Sequence, residues 1–380
     1  MERISAFLHR KLDNFTLDEY IIMFVVCSIF LPFEFPLLAI AGVLLYLCAT
    51  GRMKGIIQAV PKSGFMIVFC LLTSAIAFIS GNLLGGVCGI GILLLMLFIF
   101  YFRTVINKRL FELLMDACCI ISLFCFGWAM MEYCRIIDRL NYSFLQLKVE
   151  NSPKDRINST FFNANYYAMV CSLVGIISAY KYFSTESFER LFSFVVGILS
   201  VLTLLITDSR GAMFASFIAV FALTIMMKKR KYTIAIISLF ALGFVGIVAA
   251  GRMDLIPRID KIGFDMGLRK SIWISAIEAF KKNFVIGVGP LGIHNIYATI
   301  RNRAIVHSHN LYLDILVNFG LIGAGLLVPI ICQLFKEIKS LYSKKYTKMI
   351  IAMIIMVMIH SMVDVTIFWT QTSFIFLTFV

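Results

Sequence analysis

Charge is scarce in this chain: 15% of its 380 residues are Asp, Glu, Lys or Arg, against 61% hydrophobic. A water-soluble protein of this length needs more polar surface, so the composition excludes a soluble enzyme or binding domain and leaves a polytopic membrane protein. The alternating pattern of a membrane β-barrel is missing too. The apolar residues come in long runs, and a run of about 20 closes its own backbone hydrogen bonds as a helix. The ten cysteines lie mostly within or beside these runs, with Cys134 alone expected to reach the outer side, and they offer neither a disulfide framework nor paired Cys/His metal spacing. Met1–Tyr20 is polar and charged rather than a cleavable leader, so the first apolar run is expected to act as the insertion signal. No internal repeat is seen, which counts against a transporter built from inverted halves. Gly287–Gly292 is glycine-rich but has neither a strand before it nor Lys-Ser/Thr after it; it reads as a backbone turn, not a nucleotide loop.

What is present is a series of apolar runs near 19–32, 35–49, 64–80, 83–102, 111–132, 161–183, 190–207, 211–227, 232–250, 311–334, 347–366 and 368–380. They predict an all-α protein of about 12 transmembrane helices in a single membrane domain, 1–380. Pro32 and Pro36 bracket Glu34, so the first two runs could also be one kinked helix. A net charge of +14 invites a nucleic-acid partner, but the basic residues argue otherwise. More than half of the 35 fall in the short connections of one side, including Lys228–Lys231 and Lys336–Lys348. That is the positive-inside pattern of a membrane protein with its N-terminus in the cytoplasm. The opposite side then carries two long loops, 133–160 and 251–310. Within the larger, Leu268–Lys282 reads as a surface-lying amphipathic helix with Trp273, Ala276, Ile277 and Phe280 on its apolar face, and a second short segment is expected around His294–Ile300.

Candidate chemistry gathers on that outer side. His307-Ser308-His309-Asn310 runs into the apolar segment starting at Leu311. Histidine is a poor anchor at a bilayer edge but the natural proton acceptor near neutral pH, its free pKa being roughly 6.5. His309 is the sharper candidate for a base; Asn310 is placed to cap the following helix, His307 to support, and Asp314 either to face water or to buttress the first turn. Arg210, in the short turn Asp208-Ser209-Arg210-Gly211, either snorkels, pairs with Asp208, or marks a site. Arg269 stands four residues before Trp273 and alone would suit a cation–π or lipid-headgroup contact. Taken with Arg210 it offers a second guanidinium, and two such forks can hold a diphosphate. Asn163 and Asn165 open another span beside Tyr166 and Tyr167, a pattern of helix capping and interfacial aromatics. His360 and Asp364 are spaced to hydrogen-bond on one helix face.

These landmarks in this order resemble the O-antigen ligase and polymerase superfamily of bacterial envelope glycosyltransferases. The carriers are Phe162-Asn163-Ala164-Asn165-Tyr166-Tyr167-Ala168, Asp208-Ser209-Arg210-Gly211-Ala212, Arg269 with Trp273, Gly287-Val288-Gly289-Pro290, and His307-Ser308-His309-Asn310-Leu311-Tyr312-Leu313 followed by Asn318-Phe319-Gly320. Ala164 departs from the family, which often has proline between the asparagines. The resemblance implies a GT-C-like membrane enzyme of the bacterial cytoplasmic membrane with an outward-facing active site. It would transfer a glycan from polyprenyl diphosphate, with inversion and without metal or cofactor, to an acceptor glycan or a lipid A core. His309 would deprotonate the acceptor, and Arg210 and Arg269 would hold the diphosphate. Membrane lipids and other polysaccharide-assembly proteins are the further partners implied. The rival expectation is a lipid-linked glycan flippase or other polysaccharide transporter.

Overall fold

In the computed structural model, residues 15–146, 156–256, 259–294 and 305–380 are described, apart from the side chains of Asp254 and Asp260. Among them the fold is all helical, with no strand. The helices are α1 (Leu17–Ser28), α2 (Glu34–Ala49), α3 (Met53–Ala59), α4 (Ser63–Ile79), α5 (Leu83–Val105), α6 (Lys108–Arg139), α7 (Ala164–Ser184), α8 (Ser187–Ile206), α9 (Arg210–Met226), α10 (Arg230–Ala249), α11 (Ile262–Lys282), α12 (Leu311–Ser340), α13 (Lys345–His360) and α14 (Thr370–Phe379). Each of the twelve apolar runs forms a helix. Five of these, α5, α6, α8, α10 and α12, are long and apolar enough to cross a bilayer, and α2 with α3 makes a sixth if that pair, bent by 104°, is one broken span. The first two runs are separate helices packed on one another, with the break between Ile29 and Phe33; the bend falls later, between α2 and α3.

The core is centred on α7, which touches α6, α8, α9, α13 and α14 and buries side chains on nearly every face. A helix enclosed by protein no longer needs an apolar surface for lipid, which is why α7 tolerates Ser172, Ser178 and Lys181 at its buried positions. α8 packs most extensively on α7, and α9 and α13 pack closely on one another. Ala212, Ala215, Ser216 and Ala219 place small side chains on one stripe of α9, and the methionines Met349, Met353 and Met356 of α13 fill the remaining space. α10 is the opposite case: none of its residues is buried, so it is an edge helix against α9.

α12 is broken at Gly320 (φ 61°, ψ −169°), and the glycine turn after α11 fills the break. Val288 N donates to Val317 O (3.1 Å), Gly289 N to Asn318 O (2.8 Å), Leu321 N to Phe284 O (2.8 Å) and Ile322 N to Val285 O (3.0 Å). Non-helical backbone inside a span is tolerated when protein groups satisfy it. A Cβ on Gly287 would lie 2.5 Å from the Asn318 carbonyl, and one on Gly320 would lie 2.5 Å from Val285 O; both also have positive φ, so only glycine fits either side of this joint.

α11 departs from its expected packing. It starts at Ile262, earlier than expected, and its buried residues are Ile272, Ser275, Ala276 and Ala279, packed with Val317 of α12, while Ile277 is exposed and Trp273 half-buried. The helix is therefore docked on α12 by a face rotated from the one expected. Apolar residues lie on both sides of it, so helical spacing alone does not choose between faces. Of the expected short segment around His294–Ile300, all but His294 lies outside the described residues.

Candidate functional site

The start of α7, the start of α9, the start of α12 and the end of α13 meet at one end of the bundle. Asp364, four residues beyond the end of α13 and almost fully buried, is their common point. Its Oδ1 accepts from Val365 N (2.8 Å) and lies 3.4 Å from His309 Nδ1 and 3.9 Å from His307 Nε2. Its Oδ2 accepts from Asn165 Nδ2 (2.5 Å), and Asn165 Oδ1 accepts from Arg156 (2.5 Å), which also donates to Thr207 O (2.9 Å). The arginine at one end of this chain of bonds fixes the amide orientation of Asn165, and the amide fixes the carboxylate.

The histidine loop is held by its own backbone bonds. Asp314 is buried and accepts from Ser308 N (2.7 Å); Ser308 Oγ donates to Asn310 O (2.8 Å). Asn310 caps α12 by accepting from Tyr312 N (3.0 Å) and Leu313 N (3.1 Å), and Leu311 N donates across to Ser361 O (2.9 Å). Between these restraints His309 sits at φ 55°, a left-handed conformation that costs a non-glycine residue about 1–3 kcal/mol. Asp314 thus secures the loop, while the carboxylate that faces the histidines is Asp364. His307 Nδ1 accepts from His309 N (3.2 Å), which leaves the proton of a neutral ring on Nε2, toward Asp364. Burial pushes the His307 pKa down to about 4, against an opposing pull from Asp364, so the ring is neutral at physiological pH.

Asp364 and His360 also line a small open cavity with Arg156, Asn165, Asp208, Ser209, Arg210, Gly211, Arg269 and Val363. Arg210 and Arg269, 59 positions apart in the chain, therefore share one cavity. Arg210 opens α9 and pairs with Asp265 of α11 (2.7 Å), an acid from the distant loop. Arg269, from the same α11, makes no hydrogen bond or ion pair among the described residues. The cavity can form because Gly211 has no side chain: a Cβ there would lie 2.8 Å from Val363 and 3.2 Å from His360. His360 does not bond the Asp364 side chain; its Nδ1 faces the Thr366 hydroxyl at 3.2 Å. The helix ends at His360, so Asp364 leaves the face on which that pairing was expected.

His307, His309 and Asp364 present three ligand atoms within 4.8 Å of one another, the spacing a metal ion would need. The donor chemistry fits poorly. His307 Nε2 carries the proton of its tautomer, and arginines border the carboxylate. The cluster suits proton handling better than cation binding.

Of the expected residues, Arg210, Arg269 and Asn165 line the cavity, His307 and His309 adjoin it through Asp364, and Asn310 and Asp314 shape the loop. Asn163 instead caps α7, accepting from Asn165 N (2.8 Å). Arg156, Asp265 and the position of Asp364 were not anticipated; all three act through partners that no local spacing reveals.

Residues 195–328 match the family model described as O-antigen ligase. The resemblance to that superfamily is therefore shown. That resemblance points to a membrane glycosyl-transfer enzyme of the ligase or polymerase type, and the apolar helices of this chain agree with it. The matched segment contains Arg210, Asp265, Arg269 and the histidine loop, while Arg156, Asn165, His360 and Asp364 come from outside it and complete the cavity. No curated protein matches the chain.

Proposed function

We propose that this chain is an inverting, metal-independent glycosyltransferase of the bacterial cytoplasmic membrane, with about 12 spans in a GT-C-like arrangement and its site facing outward. It takes a glycan from polyprenyl diphosphate and transfers it to an acceptor hydroxyl, as an O-antigen or capsular-type polymerase or an O-antigen ligase. The observation that carries the reading is the shared cavity of Arg210 and Arg269 beside the Asp364–His309 pair.

In this reading His309 is the base. Its buried Nδ1 is turned to Asp364, which leaves Nε2 for the acceptor hydroxyl. The acceptor oxygen bonds to the anomeric carbon as the bond from that carbon to the diphosphate oxygen breaks, and the hydroxyl proton passes to His309. The departing diphosphate gathers negative charge, which Arg210 and Arg269 offset from preset positions. The positive end of α9, at whose first turn Arg210 sits, adds to that field. Asp364 holds the imidazole and stabilises it once protonated, and His307, His309 N–H and Asn165 fix that arrangement.

The test is purified protein with a polyprenyl-diphosphate-linked glycan and a chelator present. Release of polyprenyl diphosphate with extension of the acceptor is expected. Transfer that requires added Mg²⁺ would remove the arginine-only account of charge, and transfer by His309→Ala at the unaltered rate would remove the base.

A further inference from the structure

Beside this cavity stands a group of rings that the proposed chemistry leaves unused. Trp369 is stacked by Phe162 (centroids 5.0 Å apart, planes 26°) and by Tyr166 (5.1 Å, 12°), and Phe33 meets it edge-on at 5.2 Å. The stack is fixed in orientation. Trp369 Nε1 donates to Gln371 Oε1 (3.0 Å), and the fully buried Gln371 in turn donates to Ile29 O (2.8 Å) and Leu31 O (2.7 Å). Phe162 is nevertheless 67% exposed. Next to it Asn163 uses its side-chain oxygen as a helix cap and keeps its Nδ2 without a partner among the described residues. The stack also adjoins the cavity along both chain segments: Tyr166 follows Asn165, the residue that holds Asp364, and Trp369 lies just past Asp364 itself.

An aromatic belt at a bilayer surface requires amphipathic rings but not a hydrogen-bonded frame that sets one ring's plane. An exposed ring face with an amide donor beside it is instead the chemistry that recognises a sugar, whose ring presents C–H bonds on one face and hydroxyls around its edge. We infer that Phe162, backed by Trp369 and Tyr166, is a stacking surface for a pyranose ring of the glycan handled at this site, with Asn163 donating to a hydroxyl. The inference rests on the glycan-transfer reading above. The ring belongs either to the lipid-linked donor or to the acceptor.

The experiment varies donor and acceptor glycan separately in the purified enzyme. Phe162→Ala is expected to raise the KM of one of them about tenfold, equivalent to roughly 1.4 kcal/mol, with kcat within twofold; the substrate whose KM rises identifies the source of the ring. Phe162→Trp should stay near the parent and Phe162→Leu should behave like the alanine variant, because leucine keeps the apolar bulk but loses the flat face. Equal KM values for the parent and Phe162→Ala, or a Phe162→Leu enzyme as good as the parent, overturn the inference. A second measurement does not depend on turnover: saturation-transfer NMR on the His309→Ala protein with methyl glucoside, methyl galactoside and methyl N-acetylglucosaminide. Contact through the ring C–H protons of at least one glycoside, abolished by adding Phe162→Ala, supports the surface; no contact from any of them contradicts it. Should His309→Ala and Arg210→Ala transfer normally while Phe162→Ala still raises KM, the reaction-centre reading falls and the stacking surface stands.

Discussion

The two ends of the bundle handle charge in opposite ways. At the far ends of α7 and α12, charges are closed off in pairs. Arg52 donates to both oxygens of Asp18 (3.0 and 2.7 Å), and Tyr101 adds a third bond to the same carboxylate (2.7 Å). Lys181 pairs with Asp116, Arg103 with Glu337 (2.5 Å), and Asn107 donates to Glu19 (2.6 Å). At the near ends, three arginines share a cavity with two carboxylates, and the histidine nearest to Asp364 lies within reach of it but without an aligned hydrogen bond. The closed pairs join helices. On the proposed reading, the open cluster keeps cationic surface and one ring nitrogen for a substrate, which would be the difference between a fastening and a site.

That contrast can be broken by experiment. The largest effect is expected from His309→Ala, which should lower kcat on the order of 10²–10⁴-fold, measured as polyprenyl diphosphate released per enzyme molecule per unit time at saturating substrate. Arg269→Ala should cost about 10²–10³-fold in transfer with an unaltered thermal transition, since the side chain makes no bond among the described residues that its loss would break. Arg52→Ala is its mirror image: the thermal transition drops, because Asp18 loses two bonds, while turnover per folded molecule stays within about twofold, as expected of a site remote from the chemistry. If the two arginine variants behave alike, the distinction between the ends is lost. Gly211→Ala should destabilise by about 1–3 kcal/mol through overpacking against Val363 and His360, read as a shift of the unfolding midpoint.

The smallest effect concerns pH. The His307 pKa is held down to about 4 from 6.5, so between those values the unfolded chain binds the proton that the folded one refuses. Stability should therefore decline as pH falls from about 6.5 toward 4, and His307→Gln should flatten that slope in thermal melts. An identical slope in parent and variant would mean that burial of this ring carries no protonation cost.

Much of this arrangement was legible in the sequence where the signal is local. The apolar runs mark the helices, Asn310 stands where a cap belongs, and Arg210, Arg269 and His309 were picked out as ionisable groups at span ends or in the outer loop. What spacing could not reveal is which distant residue completes each contact. Asp364 was paired with His360 because helical spacing offers no other partner, yet α13 stops one turn early and the carboxylate turns to the histidine loop. Arg210 has an acid two residues away in Asp208, but it reaches Asp265 of α11. Gly287–Gly292 was legible as a turn and not as the element that fills the break in α12. Even the buried face of α11 was ambiguous, because apolar residues surround that helix.

The break at Gly320 reaches beyond local backbone satisfaction. Its four crossed amide bonds moor the end of the segment bearing Arg269 to the same span whose first turn carries the His309 loop. A tug on either one is therefore transmitted to a single anchorage. In the proposed reaction, the cation for the leaving group and the acceptor of the proton would then hang from one joint, so loosening that joint would be expected to disturb both together.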